Sequence, residues 1–207
     1  MKKTFLFITL IVIGAVTASA QLYRYLDTKQ GLSSRRVIAV EKDLKGYMWF
    51  LTQEGVDRYN GKQFTNYTLS DGNNTVQHFP NLSQLHIDSQ DGIWVTGKNG
   101  FIFKYNQDFD KYDLVINFAD SLKTKHRLPL THTTIDRQNN LWLCTRNAQY
   151  IYHPETKQMI KLESPIKEEV FYIEQAKRNR YFFGTKENVY VVQLKGNRLI
   201  LEPEYTI

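Results

Sequence analysis

With one cysteine among 207 residues, the chain can form no internal disulfide. Cys144 lies in the run LWLCT beside Trp142, with no His or acid at a nucleophile–base spacing, and reads as a small buried apolar residue. The five histidines (78, 86, 126, 132 and 153) show no H-x-x-x-H or comparable ligand spacing, so neither a metal nor a cofactor is expected. Lysine and arginine form no stripe and frame no stacking platform, which argues against nucleic acid as a partner. Long hydrophobic runs are also lacking, with one exception. Phe5 to about Ala18 is apolar, follows Lys2 and Lys3, and ends in Ala18-Ser19-Ala20. At about 14 residues it falls short of the roughly 20 that a spanning helix needs. It reads as a secretory signal peptide, residues 1–20, cleaved after Ala20 to leave Gln21 first. Its removal takes two lysines and no acid, so the formal charge falls from +6 to +4.

What the chain has in quantity is repetition. Val37 to Tyr67 reads VIAVEKDLKGYMWFLTQEGVDRYNGKQFTNY. Two apolar residues three apart, Val37 and Val40, lead to Asp43, then to Trp49, then to Thr52 and Gly55. The frame returns as Leu82, Leu85, Asp88, Trp94, Gly97 and Gly100, and as Leu130, Thr133, Asp136, Trp142, Thr145 and Ala148. An eroded fourth copy has Val170, Ile173, Ala176, Phe182, Thr185 and Asn188. The Trp positions are 45, 48 and 40 residues apart, a period that indicates propeller blades.

Each part of the frame has a physical reason. The apolar run before the Asp suits a first strand with one buried face. Asp bonds its own following backbone, and the Gly or Asn after it accepts positive φ, so a turn follows. MWFLT, IWVTG, LWLCT and YFFGT are aromatic and β-branched second strands. Gly55, Gly100 and Asn188 mark a second turn that calls for a left-handed residue, and Ala148 departs from it. VDRYN, FIFKYN and YIYHP supply third strands, and QFTNY or its equivalent a fourth. The expectation is an all-β protein, a β-propeller of about four four-stranded blades forming a partial, open ring. Its repeats run over about 35–68, 79–113, 128–163 and 168–202, within one domain of residues 21–207. Asp43, Asp88 and Asp136 are read as turn-makers, and Trp49, Trp94 and Trp142 as packing between blades. Catalytic carboxylates would not recur once per blade.

GLSSRRVIAVEKDLKGYMWFLTQEGVDRYNGKQFTNY resembles the repeats of two-component regulator propellers, which form the periplasmic sensor region of hybrid two-component systems, chiefly in Bacteroidetes. The resemblance covers roughly residues 22–201 and is carried mostly by the first two repeats. It implies a periplasmic location and a ligand-sensing role, with a glycan-derived oligosaccharide as ligand. It also implies further blades, a second propeller or a homodimeric parent sensor as partners. Propellers of that family usually have seven blades, so the chain is expected to be part of a longer sensor, whose kinase would lie elsewhere. In that family the opening strand, here Leu22 to Leu26, clasps the last blade of the ring, and these four repeats do not include that blade. The alternatives are a small propeller closed by its own N-terminal strand, an exported stand-alone binding or scaffold module, and a propeller enzyme. No acid pair or nucleophile–base constellation supports the last, and no enzymatic activity is expected.

Binding residues should break the repeat. Those that do so just before the inner strands are Arg35 and Arg36, then Asn81, then Arg127. Arginine offers planar bidentate hydrogen bonding to carboxylates or sulfates. These four are the expected ligand-binding positions.

Overall fold

The computed structural model describes residues 23–70, 82–123 and 129–202. The export segment lies outside these, as do Asn81 and Arg127. Sixteen strands form four separate sheets, each with its strands paired antiparallel in chain order. The first blade holds β1 (Val37–Lys42), β2 (Met48–Thr52), β3 (Val56–Tyr59) and β4 (Phe64–Tyr67). The second holds β5 (Leu82–Ile87), β6 (Ile93–Gly97), β7 (Phe101–Asn106) and β8 (Lys111–Asn117). The third holds β9 (Leu130–Ile135), β10 (Leu141–Thr145), β11 (Gln149–His153) and β12 (Gln158–Lys161). The fourth holds β13 (Tyr172–Lys177), β14 (Arg180–Gly184), β15 (Val189–Lys195) and β16 (Arg198–Leu201). One helical turn, α1 (Phe118–Ser121), sits in the connector after β8.

The first hairpin of every blade turns the same way for the same reason. The third residue past the Asp position is left-handed in all four, as Gly46 (φ 89°), Asp91 (65°), Asn139 (62°) and Asn179 (61°). Glycine, Asp and Asn are the types that enter this region at least cost. The second hairpin is less uniform. Gly55 and Gly100 have positive φ as expected, but Ala148 and Asn188 do not. There the threonine three residues earlier makes the turn. Thr145 Oγ1 accepts from the Ala148 amide at 3.1 Å and donates to its carbonyl at 3.0 Å, and Thr185 treats Asn188 alike. The departure at Ala148 therefore costs the third blade nothing, and β10–β11 pair in full register.

Blades pack through their inner strands, β1 beside β5, β5 beside β9, and β9 beside β13. Among the described residues there are three apolar cores, one at each junction. Trp49, Leu51 and Val56 meet Leu82, Leu85 and Val95; Trp94 and Ile102 meet Leu130, Leu141 and Leu143; Trp142, Cys144 and Ile151 meet Val170, Ile173 and Phe183. Among the described residues no core joins the fourth blade to the first, so the arc they form is open. A polar staple accompanies each junction. The amide after the Asp position is held by a side chain of the next blade: Leu44 by Asp91, Ser89 by Asn139, and Arg137 by Gln175, at 2.7–2.9 Å.

The opening segment has no last blade to clasp within this arc. Residues 23–26 join no sheet, and Tyr23 and Tyr25 are exposed. The GLSS segment is anchored instead to the first blade. Gly31 ends a 3-10 turn (Thr28–Gln30) with φ 107°, Leu32 is buried, and buried Asp57 accepts from both the amide and hydroxyl of Ser33 at 2.7–2.8 Å.

Candidate functional site

The recurrent acids and indoles are saturated by one another. In each of the first three blades the Asp Oδ1 accepts from the amide four residues on (Tyr47, Gly92 or Asn140) at 2.7–2.9 Å. The Oδ2 accepts from the indole Nε1 of Trp49, Trp94 or Trp142 at 2.8–3.0 Å. A carboxylate spent in this way closes the turn and fixes the ring that packs on the next blade. The spacing of six between Asp and Trp is that hydrogen bond written in sequence, a role beyond the turn-making expected of the acids.

Of the expected binding residues, Arg35 and Arg36 are exposed at the start of β1. Arg35 lines a cleft of about 560 Å³ on the outer side of the first blade, with Arg24, Tyr25, Asp27 and Leu32. The structure thus places the arginine pair at one end of the arc. Inner strands β5 and β9 carry a polar network instead. Gln84 Oε1 accepts from the amide and hydroxyl of Thr133 at 2.7 Å, Gln84 Nε2 meets His132 Nδ1 at 3.1 Å, and His86 Nε2 meets Thr133 Oγ1 at 3.0 Å. Burial lowers both imidazoles to about 4, His86 being lowered further by His132. They tie blades together as neutral rings. No cluster of three or more His, Cys, Asp or Glu side chains could hold a metal among the described residues.

The opposite face, on the side of the first-hairpin turns, is more informative. There the residue paired across from the Trp changes from blade to blade: Arg58, Lys104, Ile151, and Val191 opposite Phe182. Between the first two blades lies a cleft of about 320 Å³, lined by Arg58 with Asp43, Lys45, Asp91 and Asp110. The Arg58 guanidinium lies 5.2–5.8 Å from the rings of Tyr47, Trp49, Tyr67 and Tyr105. It donates to Tyr105 Oη at 2.7 Å, and both Tyr67 and Tyr105 donate to Asp110 at 2.5–2.7 Å. These donors hold the Asp110 carboxyl below its ordinary range, while burial pushes the Tyr67 phenol up. The arrangement is a clasp between blades. At the third junction Tyr181 takes the place held elsewhere by Ile93 and Leu141. Its ring lies 4.4 Å from Trp142 and its hydroxyl donates to Asp136 at 3.1 Å, closing the gap.

The second junction is neither clasped nor closed. Lys104 Nζ sits 4.6 Å over the Trp94 ring and 3.6 Å from Asp88 Oδ2, and its side chain remains 37% exposed. A cleft of about 320 Å³ opens beside it, walled by Gln90, Gln138, Asn139, Asn140, His153, Glu155 and Thr156. His153 Nδ1 meets Asn140 Oδ1 at 2.5 Å, which orients both groups. Amide, imidazole, hydroxyl, carboxylate and ammonium groups all line this one cleft, so donors and acceptors are interspersed. Such a wall suits a ligand rich in hydroxyl groups. Sequence reasoning missed this cleft because FIFKYN and YIYHP read simply as good strands. The available signal was the changing residue opposite the Trp.

The fold and site define an open, four-bladed β-propeller arc with polar clefts between its blades. No protein-family model and no curated protein matches the chain. Solved structures do, among them the extracellular domain of a hybrid two-component system, BT3049, from B. thetaiotaomicron (TM-score 0.68, 19% identity, 87% of this chain and 26% of that one). PorZ, a surface component of the type-IX secretion system of Porphyromonas gingivalis, gives a TM-score of 0.63 at 15% identity over 85% of this chain and 23% of that one. An inactive H270A virginiamycin B lyase from Staphylococcus aureus gives 0.62 at 12% identity, over 84% and 57%. The chain spans about a quarter of the length of the first two. At these identities the likeness establishes the propeller fold, in agreement with the repeat resemblance. Among the described residues no helix is long and apolar enough to cross a membrane.

Proposed function

We propose that this chain is the ligand-sensing propeller portion of an exported, periplasmic sensor of the hybrid two-component kind. It binds a glycan-derived oligosaccharide and has no catalytic role of its own. The observation that carries the reading is the cleft between the second and third blades, whose polar wall is not tied up in a cross-blade clasp like that of Arg58, Tyr67, Tyr105 and Asp110 at the first junction. Lys104, Asn139, His153 and Glu155 present both donors and acceptors there, as sugar hydroxyls require. The fold likeness to an extracellular domain of a hybrid two-component system supports the same reading. Signalling output belongs to a longer parent, and export to the segment ending at Ala20.

Calorimetric titration of the purified exported chain with a panel of neutral and acidic oligosaccharides tests this. Binding by at least one is expected, with a loss of about tenfold or more in Lys104→Met and Glu155→Ala, each melting within a few degrees of the unaltered chain. No binding by any panel member, or binding indifferent to both changes, would refute the assignment.

A further inference from the structure

The third and fourth blades enclose a further cleft, of about 700 Å³, that the repeating Asp–Trp frame does not use. In the third blade the cleft beside Lys104 is walled by the first and third hairpins, whereas Asn147 and Ala148 here belong to the second. Successive hairpins of an antiparallel sheet lie at alternate ends, so the two clefts open at opposite ends of that blade.

The rest of the wall is the connector from β12 to β13, laid against the start of β16. The Leu162 amide donates to the Gln149 carbonyl at 2.9 Å, the Glu163 amide to the Asn197 carbonyl at 2.8 Å, and the Leu199 amide to the Glu163 carbonyl at 2.9 Å. Glu163 and Arg198 thereby form a parallel bridge between the two blades. Ser164 Oγ accepts from the Ile166 amide at 3.2 Å and turns the chain beyond it. Leu162, Ile166 and Leu199 are buried in the apolar core of this junction. The backbone of the cleft is fixed without a ligand, which spares an ordering cost on binding.

The side chains at its rim are not spent in this way. Lys161, Lys167 and Arg198 set three cations against one acid, Glu163. Arg198 Nε lies 3.1 Å from Glu163 Oε2, in a pair whose side chains are 70% and 63% exposed. A pair so open to water holds weakly and exchanges readily. Among the described residues the Lys161 ammonium and the carboxamides of Asn147 and Asn197 have no hydrogen-bond partner.

We propose that this cleft binds a second ligand, a small hydroxyl-bearing oxyanion whose acid group is a carboxylate or a sulfate ester. The acid group displaces Glu163 from Arg198, whose planar fork receives it in two parallel bonds, and Lys161 adds a point charge. Asn147 and Asn197 offer both donors and acceptors to the hydroxyls. The volume falls within the roughly 300–1,000 Å³ of small-molecule sites. The site is separate from the cleft beside Lys104 and stands whether or not that cleft takes a sugar.

NMR titration of the purified exported chain with galacturonate, galactose 6-sulfate and galactose tests this, the three probes differing in the group on the terminal carbon. Saturable shifts of the Asn147 and Asn197 side-chain amides are expected with at least one acid and not with galactose, and the tighter acid identifies the group preferred. Arg198→Met and Lys161→Met should each weaken that binding by about tenfold or more, with Arg198→Lys in between because it keeps the charge and loses the fork. Glu163→Gln should tighten it. The altered side chains are exposed, so each variant should melt within a few degrees of the unaltered chain. No saturable shift with either acid, equal shifts with galactose, shifts confined to Gln138, Asn139 and Asn140 of the other cleft, or an affinity unmoved by Arg198→Met and Lys161→Met would each overturn the proposal.

Discussion

Trp49 allows the energetics of the repeat to be measured directly. Its ring is buried and stacks at 5.7 Å on Tyr67 and at 4.9 Å, edge-on, against Tyr105 of the next blade, while its Nε1 donates to Asp43 Oδ2 at 2.8 Å. Trp49→Phe keeps an aromatic in the core but removes the donor and part of the ring. Stranding a buried carboxylate oxygen costs about 1–3 kcal/mol. A cavity of a few tens of Å³, at about 24 cal/mol per Å³, adds roughly 1 kcal/mol. The expected loss is therefore about 2–4 kcal/mol, or roughly 5–15 °C in the melting temperature of a domain of this size. Asp43→Ala removes the other partner and also frees the Tyr47 amide. In urea denaturation the double variant should be less destabilised than the sum of the singles by about 1 kcal/mol or more, because both singles delete one shared bond. Additivity within about 0.5 kcal/mol would show that the Asp–Trp spacing reflects turn chemistry and packing alone.

Gly55 has φ 149°, and a Cβ there would lie 2.5 Å from the Tyr67 carbonyl oxygen, so Gly55→Ala should lower stability by about 1–3 kcal/mol. Gly46→Ala, with φ 89° but open space around it, should cost less, and equal melting temperatures for the two would refute the clash. Acid should destabilise the chain through His86 and His132, whose folded values near 4 lie below the ordinary 6.5. The unfolded chain then binds more protons between these values, so this stability is complete above about pH 6.5 and is lost as pH falls toward 4. The linkage amounts to about 3 kcal/mol per ring at most. Thermal melts from pH 4 to 7 should steepen over that window and flatten in His132→Asn, whereas an unchanged slope would show that burial does not hold the ring neutral.

The blade architecture was legible because its constraints are local. Asp43 and Trp49 lie six residues apart in one hairpin, and the left-handed residue sits three past the Asp, so short-range chemistry wrote both into the sequence. What could not be read depends on contacts between blades. Arg58, Lys104 and Ile151 stand at equivalent places in their strands, yet they meet a tyrosine–aspartate clasp, a polar cleft wall and an apolar core. Their surroundings come from residues of the following blade: Tyr105, His153 and Tyr181. The strand-forming Tyr23 and Tyr25 stay unpaired because the blade they would join is not among these four. A strand needs a sheet edge to join, and propensity alone supplies none.

The staple between blades gives one residue two duties. Asp91 and Asn139 each hold a left-handed turn and, through the side chain, grip the amide of the blade before. Glycine at this place meets the first demand and cannot meet the second. Gly46 occurs in the blade whose earlier-side neighbour is missing from the arc. At the third junction the two duties part, Asn179 holding the turn and Gln175 the amide of the blade before. Gly46→Asn should accordingly leave the solitary chain unmoved, and should strengthen any arrangement in which another blade comes to rest against the first.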